Sequence, residues 1–131
     1  LQKGIKSGVI DIITSDHNPI DIENKKVEFS EAKDGAIGLE SSFGAINSVL
    51  DLDDFIAHIT SKPKAIFGLE NHSIKEKNKA EITLFDPKNE YVFSKEHILS
   101  TSKNSPFLNK KLRGKAYGIY ANEQLILNQI S

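Results

Sequence analysis

The apolar positions along the chain change their period once, near residue 68. Residues 9–15 (Val-Ile-Asp-Ile-Ile-Thr-Ser) form a β-branched apolar run that Asp16-His17-Asn18-Pro19 brings to an end. Such a run predicts a buried strand, of the parallel-sheet kind, entering a loop. Residues 21–33 are polar and without periodicity, which predicts a loop or lid. Gly35 and Gly38 then punctuate the chain, and Leu39, Phe43, Ile46 and Leu50 recur at spacings of four, three and four. That spacing puts one apolar face on a helix over about residues 40–50. A second helix is predicted from Asp53 and Asp54, whose charges suit an N-terminal dipole, and it carries Phe55, Ile56 and Ile59. Pro63 restricts Lys62 and predicts a break or restart there, and Gly68 reads as a C-terminal cap.

Beyond residue 68 the pattern is that of strands. Residues 80–85 alternate and end at Asp86-Pro87, a turn signal. Residues 91–93 read as a short strand, and Ser94 as the cap of a brief helical turn through Ile98. Residues 112–121 predict a strand, and Asn122-Glu123 a tight turn into residues 124–127, making a hairpin. The expected organisation is therefore an α/β unit over residues 1–68 and a C-terminal β module over residues 69–131.

Composition narrows the classes. With 131 residues, 38% hydrophobic and 27% charged, the chain is ordinary for a globular protein and too apolar for a disordered tail. No apolar run approaches the roughly 18–20 residues of a membrane helix, and no basic head followed by an apolar leader opens the chain. The absence of cysteine excludes a disulfide scaffold, thiolate zinc sites and cysteine nucleophiles, and fits a cytoplasmic setting. A chain that contains no methionine and begins at Leu1 is expected to be a piece of a longer polypeptide or a processed product. Charge is uneven: seven basic against eleven acidic residues up to Gly68, then ten against seven. The cluster of Lys110, Lys111, Arg113 and Lys115 is too short for a nucleic-acid footprint, and solvated faces of opposite bias account for the asymmetry.

Four histidines are candidates for chemistry: His17, His58, His72 and His97. No pair makes a His-x-His or His-Glu-x-x-His motif, so the chain does not assemble a familiar zinc cage by itself. His58, His72 and His97 read as surface or interhelical residues. Asp16 and His17 stand apart, because a carboxylate and an imidazole at the carboxyl end of a parallel strand occupy the place where α/β folds carry their sites. Ser-Asp-x-Asn-Pro is equally good turn chemistry, and pattern alone leaves the two readings level.

Several motifs together resemble the C-terminal portion of a dihydroorotase, a cyclic amidase of the amidohydrolase superfamily. Thr14-Ser-Asp-His-Asn-Pro19 is similar to the family's Thr-Asp-His-Ala-Pro-His, and Gly35-Ala-Ile-Gly-Leu-Glu-Ser41 to its Gly-x-x-Gly-Leu-Glu-Thr. Lys62-Pro-Lys-Ala-Ile-Phe-Gly-Leu69 and Ala80-Glu-Ile-Thr-Leu-Phe-Asp-Pro87 continue the match in order. Ser102-Lys-Asn-Ser-Pro-Phe107 and Leu112-Arg-Gly-Lys115 complete it. The resemblance implies the C-terminal part of a metal-dependent TIM-like barrel, its last strand and closing helices, with a small β-sandwich-type flanking module.

It further implies interconversion of dihydroorotate and N-carbamoyl-aspartate in pyrimidine biosynthesis, by a hydroxide activated on one or two zinc ions. Asp16 takes the place of the family's metal ligand and general base. Asp34 and Gly35 fall where backbone groups contact substrate. The family's histidine that holds the substrate carboxylate is replaced by Ile20, which has no donor. The family's other metal ligands are not in this chain, so the 131 residues alone are expected to be inactive and to lack a retained metal. Implied partners are the small-molecule substrate, the N-terminal barrel portion, a second copy in a homodimer, and aspartate transcarbamoylase. Neither nucleic acid nor membrane is among them. Two other readings stay open: a hydantoinase or allantoinase, and a non-catalytic scaffold for aspartate transcarbamoylase.

Overall fold

A computed structural model describes residues 1–70 and 73–128. Four short helices come first: α1 (Gln2–Lys6), α2 (Leu39–Asn47), α3 (Leu52–Ile59) and α4 (Ser61–Ile66). Three strands follow, β1 (Ile82–Val92), β2 (Lys111–Ala121) and β3 (Gln124–Leu127), paired antiparallel in the order β1-β2-β3. Single 3-10 turns lie at Ile22–Asn24 and Lys95–His97.

α2 and α3 form where the 3.6-residue period placed them, whereas α1 was not expected. α3 begins behind Asp51, with Asp53 and Asp54 in its first turn, as the dipole favours. The chain restarts as α4 two residues before Pro63, which occupies the first turn, where a missing N–H costs little. Gly68 (φ 66°) closes α4 in a Schellman arrangement: Leu69 N donates to Lys64 O at 2.8 Å and Gly68 N to Ala65 O at 3.4 Å.

β1 runs through Asp86-Pro87 instead of ending there, because the sheet absorbs the irregularity as a bulge. Asp86 pairs with Lys115 and Glu90 with Arg113, leaving three β1 residues unpaired between them. Pro87 has no N–H to give a ladder, and its carbonyl accepts instead from Asn47 Nδ2 at 2.8 Å. Asn47 is 2% exposed and also donates to Arg113 O at 2.8 Å, while Arg113 donates back to Asn47 O. One buried amide thus bolts α2 onto the bulged edge of β1 and onto β2.

Residues 9–15 depart from the expected strand. They belong to no sheet among the described residues, and Val9 is largely exposed. Ile13 N donates to His58 O at 3.2 Å, and Ile10 and Ile13 pack on the Ile5, Leu50 and Phe55 cluster. An apolar run becomes a strand only when a neighbour supplies the ladder, and none of the described segments lies alongside it. A second cluster, Ile37, Phe93, Ile98 and Leu112, sits between α2, β2 and the loop after β1. Burial of Phe55 and Phe93, both 2% exposed or less, stabilises each cluster by about 1.5–3 kcal/mol per side chain. No helix among the described residues is long and apolar enough to cross a membrane.

Candidate functional site

Three stretches far apart in sequence meet at one end of α2: residues 15–20, residues 34–40 and residues 100–104. Two glycines permit the approach. A Cβ on Gly35 (φ 135°) would lie 2.7 Å from Ile20 Cγ1 and 2.8 Å from Asn18, and one on Gly38 would lie 2.2 Å from Ser15 O. Hydrogen bonds then stitch the stretches together. Asn18 N donates to Ala36 O at 2.9 Å and its side chain to Asp34 O. Asn104 donates to Gly35 O at 2.9 Å and its own carbonyl accepts from Ile37 N at 2.9 Å. Ser102 Oγ donates to Ile20 O at 2.9 Å.

Asp16 sits at the far end of residues 9–15, exposed, with a left-handed backbone of φ 46°. His17 follows and is half-buried. Its Nδ1 accepts from Gly38 N at 3.1 Å and Leu39 N at 3.2 Å, the orphan donors at the start of α2. A nitrogen that accepts two N–H groups carries no proton, which puts the ring proton on Nε2.

Glu40 lies in the first turn of α2, its side chain 12% exposed. Its Oε1 accepts from Ser100 N at 2.8 Å and from the Ser100 hydroxyl. Its Oε2 is buried, without a hydrogen-bond partner among the described residues, 3.9 Å from His17 Nδ1. Burial pushes this carboxyl up, but the Ser100 hydroxyl and amide and the helix amide outweigh it and hold the carboxyl below its ordinary value of 4.5. No motif or spacing pointed to Ser100. Glu40 carried a faint one, an acid two residues past the glycine that opens a helix.

The remaining expected residues are placed as follows. Asp34 and Gly35 lie in the stitched loop, their carbonyls engaged by Asn18 and Asn104. Ile20 packs against Gly35 and lines an open groove with Lys25, Lys95 and Lys103. Residues 21–33 fold on themselves, with Lys25 Nζ donating to Lys33 O at 2.6 Å. His58 is buried, donating from Nδ1 to Asp54 O and accepting from Lys62 Nζ at 2.8 Å, so it serves the packing of α3 on α4. His97 and Ser94 cap the 3-10 turn reciprocally. His72 lies outside the described residues. Among the described residues no group of three or more His, Cys, Asp or Glu can hold a metal ion, so Asp16 does not make a zinc site with them.

No family model matches the chain. It is 38% identical over 121 residues to a dihydroorotase of Geotalea daltonii, a match covering 88% of this chain and 28% of that protein. To a dihydroorotase of Endomicrobium trichonymphae it is 42% identical over 123 residues, 88% of this chain and 29% of that one. The chain therefore spans less than a third of the length of these curated relatives. Among solved structures, a D-hydantoinase of Thermus sp. superposes with a TM-score of 0.80 at 19% identity, over 99% of this chain and 31% of the other. The L-hydantoinase of Arthrobacter aurescens gives a TM-score of 0.80 at 19% identity over the same shares. These likenesses establish the fold.

Proposed function

From its homology to the C-terminal portion of the dihydroorotases, we propose that this chain is the part of a cyclic amide hydrolase that supplies the proton-transferring carboxylate, Asp16. The reaction is the interconversion of dihydroorotate and N-carbamoyl-aspartate, a step of pyrimidine biosynthesis. Ring opening adds the oxygen of water to the amide carbon and breaks its bond to nitrogen. One group must take a proton from the water and return it to the departing nitrogen. A carboxylate on a constrained turn at the rim of the fold suits that task, and Asp16 is exposed, left-handed and flanked by anchored neighbours. That placement is the observation that carries the reading.

Asp34 and Gly35 belong to the same reading as the backbone that meets substrate, in a loop whose shape the stitching holds. A zinc ion, one or two per site, would supply the activated water when bound to the whole protein. Asp16 is this chain's contribution to its ligands. The division of the chain into a barrel-closing unit, residues 1–68, and a β module, residues 69–131, is part of the proposal, as are a cytoplasmic location and a homodimer.

Kinetics on the intact protein test it. Wild type is expected to open dihydroorotate in preference to hydantoin or allantoin, and Asp16→Asn to lower kcat by at least a hundredfold with the fold intact. Full turnover in Asp16→Asn would end the assignment. A second reading is favoured by Ile20, whose side chain offers no donor and rests on Gly35: a dihydroorotase-like scaffold for aspartate transcarbamoylase. Stable co-purification with that enzyme, with no turnover and no bound metal, is its expected signature.

A further inference from the structure

Asp16 is a non-glycine residue with a positive φ, 46°. Aspartate tolerates this region better than most residues, yet such a conformation persists only where the surroundings over-determine it. The restraints lie on both sides. Before it, Ser15 O is seated on Gly38, so closely that no Cβ fits at that position. After it, His17 Nδ1 takes the N–H groups of Gly38 and Leu39 at 3.1 and 3.2 Å, and Asn18 N bonds Ala36 O. α2 has no side-chain cap from Gly38, its own N-cap residue, so an imidazole from 21 residues upstream fills that role.

We propose that His17 is the positioning residue for Asp16: as the Nε2–H tautomer it caps α2, and through that anchor it holds Asp16 in the left-handed turn that aims the carboxylate. The claim rests on the proposed hydrolase function where turnover is the readout, and on geometry alone where structure is. Two lone-pair acceptors can fill the position. The Oδ1 of asparagine reaches about as far from the backbone as Nδ1 and accepts two N–H groups. Leucine fills similar space and accepts none.

The test uses the intact protein carrying His17→Leu or His17→Asn. Turnover of dihydroorotate is expected to fall tenfold or more in kcat for His17→Leu, with KM within threefold, per folded molecule. His17→Asn is expected to recover most of that loss. In a crystal structure of His17→Leu, Asp16 is expected to leave the left-handed region. In wild type, hydrogen exchange at Gly38 and Leu39 is expected to be slow. A His17→Leu kcat within twofold of wild type, equal losses in both variants, an unmoved Asp16, or fast exchange at both amides overturns the proposal. If Asp16→Asn retains turnover, the hydrolase reading fails on its own, and the Asp16 backbone in His17→Leu still decides the positioning claim. Should His17→Leu not fold, the wild-type exchange rates and the His17→Asn structure decide it.

Discussion

Replacing Glu40 probes how the β module holds the site loop. Oε1 receives two bonds from Ser100, one from the amide at 2.8 Å and one from the hydroxyl, within a side chain that is 12% exposed. Hydrogen bonds to a charged acceptor contribute about 1.5–3 kcal/mol each, and two that share one oxygen do not add in full. Glu40→Ala leaves the Ser100 amide without its partner, so the expected loss is about 2–4 kcal/mol. Glu40→Gln keeps a carbonyl acceptor but not the charge, and is expected to lose about 1–2 kcal/mol. Because the folded carboxyl lies below 4.5, its stabilisation is complete above that pH and disappears as pH falls through the lower folded value. The gap between wild type and Glu40→Gln should therefore narrow on acidification below 4.5. Chemical denaturation at a series of pH values, with a Glu40→Ala and Ser100→Ala double-mutant cycle, measures both quantities. A loss under about 0.5 kcal/mol for Glu40→Ala, or a gap that widens toward acid, would mean that the charged Glu40–Ser100 bonds do not hold the loop.

Asn47→Ala removes a buried amide that donates to two carbonyls, Pro87 O and Arg113 O, and is expected to cost about 2–4 kcal/mol by denaturant unfolding. Gly68→Ala meets nothing within 4 Å, so only the left-handed backbone is penalised, about 1–2 kcal/mol in the same assay. Gly35→Ala drives a methyl into Ile20 and Asn18 and should cost more than Gly68→Ala, together with loss of turnover in the intact protein. The 131 residues alone, supplied with zinc, are expected to show no ring opening of dihydroorotate, since no metal-binding group forms among the described residues.

The local part of this architecture was legible in the sequence. The period of Leu39, Phe43, Ile46 and Leu50 marks α2, Pro63 marks the restart at α4, and Gly68 marks its end. α1 was not legible, because five residues containing Gly4 carry too little periodicity. Residues 9–15 misled for the opposite reason: their composition is that of a strand, but strand structure belongs to a pair of segments. Asp86-Pro87 resembles a turn, and whether such a pair ends a strand or bulges it depends on Asn47, 40 residues away. At the site, Asp16 and His17 were visible as candidates. The bonds from Gly38 to His17, from Ser100 to Glu40 and from Ser102 to Ile20 were not, since residue type does not reveal a partner 21 to 82 positions distant.

The stitching of residues 15–20 to residues 100–104 has a consequence for how the protein is made. Ser102 is translated 82 residues after Ile20. At about 5–20 residues per second, the loop bearing Asp16 waits roughly 4–16 s for the segment that fastens it. A premature stop between residues 70 and 100 would release a chain in which all four helices are complete but residues 15–20 lack the partners that residues 100–104 supply.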